Sequence, residues 1–212
     1  MNSATAALAS SANVVRRMMA VLAADVVDYS RLTEIAEIDT HVRLRALRVE
    51  TIDPCIVSYR GRIIKNTGDG FLASFDSAVD AVRCAVELQH DLAASEAVQP
   101  IERKIRMRLG LNVGEVITEA EDIFGASVNV AARLEQFSPP GGIVISDSIL
   151  FVREVDDRRF RRRYRRTRTE EHIETGSSLF HMHSGCRSRF TFRSQGPVAV
   201  NSDTAVSRVR RK

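Results

Sequence analysis

Seven uncharged residues, Met18-Met19-Ala20-Val21-Leu22-Ala23-Ala24, stand directly before an aspartate, Asp25, and no other stretch restricts the fold as tightly. A run with no charge at either phase of a two-residue period reads as a strand buried on both faces, so it belongs inside a sheet covered from two sides. The Asp25 carboxylate then emerges where that strand ends. A second acid lies in Thr67-Gly68-Asp69-Gly70, between the strand-like runs Arg62-Ile63-Ile64-Lys65 and Phe71-Leu72-Ala73-Ser74-Phe75. The two glycines predict positive φ in a hairpin turn with Asp69 at its tip. If these strands are neighbours, both carboxylates reach one ion, and a hard cation such as magnesium takes one or two carboxylates plus substrate phosphates. Each acid alone also has an ordinary reading, Asp25 as a cap of the following helix and Asp69 as a turn residue.

The other elements alternate along the chain. Residues 1–15 are rich in Ala and Ser and read as a disordered leader. Ser30 is placed to cap a helix whose apolar side carries Ile35, Ile38, Val42, Ala46, Val49, Ile52 and Ile56, with Pro54 kinking its last turns. Ser77 opens a second helix bearing Val79, Val82, Val86 and Leu88, which exits at Gln99-Pro100. Ile105, Met107, Leu109, Leu111 and Val113 alternate with Arg106, Arg108, Gly110 and Asn112, the pattern of a strand with one buried face. Asn129 and Arg133, four apart, share one face of a further helix, and Ile143-Val144-Ile145 is a short buried strand. The order strand, helix, two strands, helix, strand is an α+β, ferredoxin-like (palm-type) βαββαβ plan. A fold plan alone leaves function open.

Five motifs in this order carry a resemblance. They are the Asp25 strand, Gly61-Arg62-Ile63-Ile64-Lys65-Asn66-Thr67-Gly68-Asp69-Gly70, Arg108-Leu109-Gly110-Leu111-Asn112-Val113-Gly114-Glu115-Val116, the Asp122 to Arg133 segment, and Pro140-Gly141-Gly142-Ile143-Val144-Ile145-Ser146. From about Arg17 to Val152 the chain resembles the catalytic domain of class III nucleotidyl cyclases, the adenylate and guanylate cyclases. The resemblance implies a domain over 16–152 and two metal ions per site, Mg2+ or Mn2+, held by Asp25, Asp69 and the main chain at Val26. It makes Lys65 and Asp122 the purine-reading pair, Lys65 at the ring-nitrogen side and Asp122 accepting the adenine amino group, which favours ATP. Guanylate cyclases tend to carry Glu and Cys there. Asn129 would orient the ribose and Arg133 stabilise transition-state charge. Family members are dimers with shared sites, so the expected assembly is a homodimer taking Asp25 and Asp69 from one subunit and Lys65, Asp122, Asn129 and Arg133 from the other. Without the resemblance, Lys65 reads as an exposed strand residue and Asp122 as a helix N-cap.

Composition narrows the alternatives. With 44% hydrophobic and 27% charged residues the chain can bury a core beneath an ordinary surface. No apolar run reaches the length of a membrane span, so a cytoplasmic protein without a membrane partner is expected. Arg16-Arg17 before the apolar run imitates a secretion signal, but cleavage near Ala24 would release the Asp25 strand. Cys55, Cys84 and Cys186 are an odd number without metal-ligand spacing and read as reduced and structural. A phosphate-binding loop of the Gly-x-x-x-x-Gly-Lys type and the Gly-Gly-Asp/Glu-Glu-Phe signature of diguanylate cyclases are both absent.

The last third departs from the family pattern. Residues 1–150 hold 15 Lys and Arg against 20 Asp and Glu, whereas residues 151–212 hold 16 against 7, so the basicity belongs to the tail. Eight of the eleven residues from Arg158 to Arg168 are arginine. Residues 153–212 read as an Arg-rich, poorly ordered, atypical or truncated C-terminal end. The family would place a closing hairpin there with a triphosphate-binding lysine, and no lysine occurs between Lys104 and Lys212. Arg162 or Arg163 would have to supply that charge. Two other readings follow: a catalytically impaired domain that binds nucleotide or a partner, and a polyanion-binding tail. Nucleic acid is not an expected partner, since the tail has no repeated stacking aromatics.

Overall fold

The computed structural model describes residues 15–119, 122–150, 165–167 and 179–181. Its centre is strand β1 (Val15–Val26), the charge-free run extended at both ends. Helix α1 (Tyr29–Leu47), a π-helical turn (Arg48–Ile52) and helix α2 (Asp53–Ser58) lead to strands β2 (Arg62–Asn66) and β3 (Phe71–Phe75). Helix α3 (Ala78–Ser95) precedes β4 (Met107–Glu119) and β5 (Asp122–Phe124), and α4 (Ala126–Gln136), β6 (Ile143–Ile145) and the short α5 (Asp147–Leu150) follow. Two further strands, β7 (Arg165–Thr167) and β8 (Leu179–His181), pair antiparallel with each other.

The sheet runs β2-β3-β1-β4-β5, with β6 parallel to β4. Its inner strands β1, β3 and β4 with outer β2 form the expected ferredoxin-like arrangement. β1 pairs antiparallel with β3 from Ala20↔Phe75 to Ala24↔Phe71 and with β4 from Val15↔Thr118 to Val26↔Met107. Both of its faces are covered. Ala20, Leu22, Ala24 and Val26 point into the main core with Phe71, Phe75, Leu109, Leu111 and the α1–α3 layer. Met19, Val21 and Ala23 pack on the other side with Leu72, Val116, Ile123 and Ala131 of α4. Fully burying one such aliphatic side chain contributes roughly 1.5–3 kcal/mol, so this doubly covered strand is the main anchor of the sheet.

Several local expectations change. The N-cap of α1 is Asp28, in the left-handed region at φ 53°, rather than Ser30. Its buried side is Leu32, Thr40, Leu44 and Leu47, while Ile35, Ile38, Val42 and Val49 are exposed. Ile52 and Ile56 of the same expected stripe are fully buried, and the π-helical turn over Arg48–Ile52 lies between the two groups, shifting the helical phase; a separate break stands at Ala36 (φ −160°, ψ 78°). Pro54 follows a π-helical turn in a backbone that stays right-handed helical through Leu47, Arg48, Ile52 and Asp53, so the irregularity takes the form of a widened turn before the proline. Strand β4 is covered on both sides, because α4 lies across Gly110 and Asn112 on the face expected to be open. The Ser77 cap forms as expected, its hydroxyl accepting from the Asp80 N–H at 3.2 Å. The leader over 1–15, the tail arginines Arg162 and Arg163, Cys186 and most of 153–212 lie outside the described residues, Val15 excepted.

The two turn glycines differ in purpose. Gly68 has φ +89° with open space around it, so only its backbone conformation calls for glycine. Gly70 is not at positive φ. A Cβ there would stand 2.2 Å from the Ala24 carbonyl oxygen, so Gly70 lets the hairpin turn press against β1. At Gly110 a Cβ would meet the Glu135 N at 2.2 Å and the Ala131 carbonyl at 2.3 Å, both main-chain atoms of α4 that cannot yield alone. Gly110→Ala should therefore lower the unfolding free energy by about 2–3 kcal/mol, the cost of overpacking, and Gly68→Ala by about 1–2 kcal/mol, the left-handed penalty. Urea unfolding of both variants checks the order.

Candidate active site

Asp25 is the last residue but one of β1, in register with Arg108 on β4, and it is half-buried. The Val26 N–H donates to its carboxylate. Gly70 seats the β2–β3 turn against the neighbouring Ala24 carbonyl, which brings Asp69 within hydrogen-bonding reach of Asp25. Burial first, then the charge and hydrogen bond of Asp69, push the Asp25 carboxyl above its ordinary range, while Arg108 and the Val26 N–H pull it down. A carboxylate neighbour disfavours the charged form of Asp25, and a cation beside it favours that form.

The donor set here is hard oxygen alone. Among the described residues no group of three or more His, Cys, Asp or Glu is arranged to hold a metal by itself. That fits a cation taking one or two carboxylates and completing its shell with water and substrate phosphates, the habit of Mg2+ and its substitute Mn2+. Asp25, Asp69 and the adjoining Val26 main chain are the residues that could hold it.

Two participants lie outside every sequence motif assigned a role. Glu135, near the C-terminal end of α4, is buried and faces the same group. Burial, then the Asp25 charge, raise its pKa to about 7, with Arg108 opposing and Asp69 adding to the rise. The Arg108 guanidinium thus opposes the rise at both Asp25 and Glu135. The buried positions Ala131, Leu134 and Glu135 share the inner side of α4, so an acid at the spacing of buried apolar residues was the available signal.

Lys65 and Asp122 meet although β2 and β5 are opposite edges of the strand order. The Lys65 Nζ lies 3.2 Å from the Asp122 carboxylate and 5.8 Å from the centroid of the Phe124 ring. Asp122 is on β5 and also accepts from the Ile123 N–H at 2.8 Å; the N-cap of α4 is Gly125. Below this contact a cleft of about 200 Å³ is lined by Arg17, Ile64, Asp122 and Ile123 among others. That is smaller than the roughly 300–1,000 Å³ of pockets that enclose a drug-sized ligand. Asn129 and Arg133 lie together on α4 and are exposed, on a side of the helix different from Glu135.

The raised acid at 135 has a testable linkage. Its folded pKa exceeds the ordinary Glu value of 4.5, so the protonated form fits the fold better and stability falls as pH rises from about 4.5 through about 7. Glu135→Gln removes that dependence. At pH 8 the variant should be more stable than the parent by on the order of 2–3 kcal/mol, and near pH 4.5 the two should converge. Urea midpoints at the two pH values read this directly.

With the geometry in place, comparisons with known proteins agree on one family. The model of the adenylate and guanylate cyclase catalytic domain matches residues 15–182, past the Arg-rich run and through β8. "Putative adenylate cyclase 3" of Rhizobium meliloti is 48% identical over 134 residues, 63% of this chain and 23% of that one. An adenylate cyclase of Streptomyces coelicolor is 30% identical over 132 residues, 62% of this chain and 33% of that one. The chain therefore spans about a quarter to a third of the length of these curated relatives. Among solved structures, an adenylate/guanylate cyclase/hydrolase from Silicibacter pomeroyi superposes with a TM-score of 0.70 at 40% identity, covering 80% of this chain and 96% of that one. The adenylyl cyclase CyaB from P. aeruginosa shares the fold at 21% identity, with a TM-score of 0.66 over 82% of this chain and 97% of that one. Among the described residues no helix is long and apolar enough to cross a membrane. The chain belongs to the family of adenylate and guanylate cyclase catalytic domains.

Proposed function

We propose that this chain is an adenylate cyclase, converting ATP to 3′,5′-cyclic AMP and pyrophosphate as a homodimer with shared active sites. The observation that carries the choice of ATP is the meeting of Lys65 with Asp122 at 3.2 Å. Adenine presents a ring-nitrogen acceptor beside an amino donor, which an ammonium and a carboxylate match; guanine presents the opposite polarity at those positions and would leave both groups unpaired. Names of relatives point the same way.

In this reading Asp25 and Asp69 hold two divalent cations, Mg2+ or Mn2+, and those ions supply the charge that lowers the pKa of the ribose 3′-hydroxyl and screens the phosphates. The 3′ oxygen forms a bond to the α-phosphorus as the bond from that phosphorus to the β-phosphate oxygen breaks. Pyrophosphate leaves and the hydroxyl proton passes to solvent. Asn129 orients the ribose, and Arg133 stands where charge grows in the transition state. The same helix turns Glu135 inward to its own Asp25, so an exposed Arg133 serves a second subunit's acids. The small cleft that Asp122 lines agrees with a site completed on dimerisation.

A second reading has its own observation. No lysine occurs between Lys104 and Lys212, so the usual triphosphate lysine is missing, which favours an impaired domain that binds nucleotide without efficient turnover. Cyclic nucleotide formation by the purified chain, with ATP or GTP and with Mn2+ or Mg2+, separates the two. Turnover of ATP supports the proposal; none under any combination leaves the impaired domain.

If the parent is active, Asp25→Ala and Arg133→Ala should each be inactive alone and recover part of the activity when mixed, because one of the two sites in the mixed dimer is whole. Folded variants that never complement would contradict the shared site. Lys65→Glu combined with Asp122→Cys should cut ATP use by tenfold or more, since each unmatched buried polar group costs about 1–3 kcal/mol. Equal ATP turnover by parent and double variant would remove the purine-reading role.

A further inference from the structure

The turn that carries Asp69 is held from outside by one side chain. Arg48, the first residue of the π-helical turn after α1, donates to the Asn66 side-chain carbonyl and to the main-chain carbonyls of Gly70 at 2.6 Å and Gly68 at 3.4 Å. These acceptors bracket Asp69 on both sides. Within the turn itself, one main-chain bond closes the loop, from the Thr67 N–H to the Gly70 carbonyl at 3.0 Å. Gly70 packs the turn against Ala24 of β1 on one side, while Gly68 has open space around it and a left-handed backbone, so packing fixes only the Gly70 end of the turn.

We propose that Arg48 is the positioning residue that holds the Asp69 carboxylate against Asp25 for cation binding. This rests on reading Asp25 and Asp69 as the cation-binding pair. A planar guanidinium with five donors can serve three acceptors in one fork, which a lysine ammonium on a flexible stem cannot reproduce. Arg48 engages the two carbonyls that flank Asp69, so it fixes the backbone on both sides of the residue and leaves the carboxylate free of the clamp. The clamp also joins two elements separated in sequence by α2, the π-helical turn that follows α1 and the hairpin tip. The widened π-helical turn, set between α1 and the proline-started α2, is what carries the Arg48 side chain. Outer hydrogen-bond partners of metal-holding groups act in this way, orienting the group without touching the ion.

The test is Mn2+ binding by the full 212-residue chain, read from the electron paramagnetic resonance signal of free Mn2+ with no nucleotide present. Arg48→Met should weaken Mn2+ binding by about 10–100-fold, the usual effect of removing an orienting partner. Its circular dichroism should match the parent's at the temperature of measurement. Arg48→Lys keeps the charge and loses the fork, so it should also bind Mn2+ more weakly than the parent, and it carries the test if Arg48→Met fails to fold. Asp25→Asn is the control for the underlying reading. If Asp25→Asn leaves Mn2+ affinity at the parent's value, or the parent binds no Mn2+, the cation pair itself is wrong. If Asp25→Asn abolishes binding while a folded Arg48→Met or Arg48→Lys binds as the parent does, the positioning role is overturned. A lowered unfolding midpoint with unchanged Mn2+ affinity would make Arg48 a purely structural residue and likewise overturn it.

Discussion

The contact on which the site depends is the approach of a hairpin turn to the end of a buried strand. A side chain at Gly70 would collide with the Ala24 carbonyl, so the absence of one sets how close Asp69 comes to Asp25. The strand cannot shift to relieve the contact, since β1 is registered with β3 and β4 over its length and buried on both faces. Repulsion between the two carboxylates is therefore built into a rigid place. The energy that opposes it comes from the core on the far side of the sheet, where residues such as Phe71, Phe75 and Leu109 are fully buried, each contributing roughly 1.5–3 kcal/mol.

That balance explains the chemistry available to the site. Asp25 and Glu135 are both held toward their protonated forms, and the only opposing cation named among their neighbours is Arg108. A cation bound between Asp25 and Asp69 would reverse this, and anything that binds the folded chain alone adds to its stability. Association of a divalent cation and stabilisation of the fold are thus one equilibrium seen from two sides. In the proposed site these acids would be costly when bare and useful when filled, a pattern in which local rules yield to function.

Most of the frame was legible because it is local. The charge-free run, the Gly-flanked turn, the Ser77 cap and the alternation through Ile105–Val113 each state their structure within a few residues, and β1, the hairpin, α3 and β4 follow. What failed also has a local cause. The expected apolar stripe from Ile35 to Ile56 keeps helical spacing in the sequence, but a π-helical turn at Arg48–Ile52 changes the phase, so Ile35, Ile38, Val42 and Val49 face water while Ile52 and Ile56 are buried. Glu135, Arg108 and Arg48 went unassigned for the opposite reason. Their meaning lies in partners far along the chain, Asp25 for the first two and the 66–70 turn for the third, and no spacing rule reaches that distance.

Helix α4 shows how one element can serve two sites. Its inner side puts Ala131 and Glu135 onto Gly110, close enough that the strand has no room for a β-carbon, and this fixes the rotation of the helix about its axis. Once that rotation is fixed, Asn129 and Arg133 have no freedom to turn toward their own chain's acids, because residues 133 and 135 point about 200° apart at 3.6 residues per turn. An arginine set in this way is either idle or used by a neighbour. In the proposed dimer, the close packing that buries Glu135 beneath one sheet would be the same constraint that presents Arg133 to a second copy, and an Ala131 or Gly110 side chain large enough to rotate α4 would disturb both.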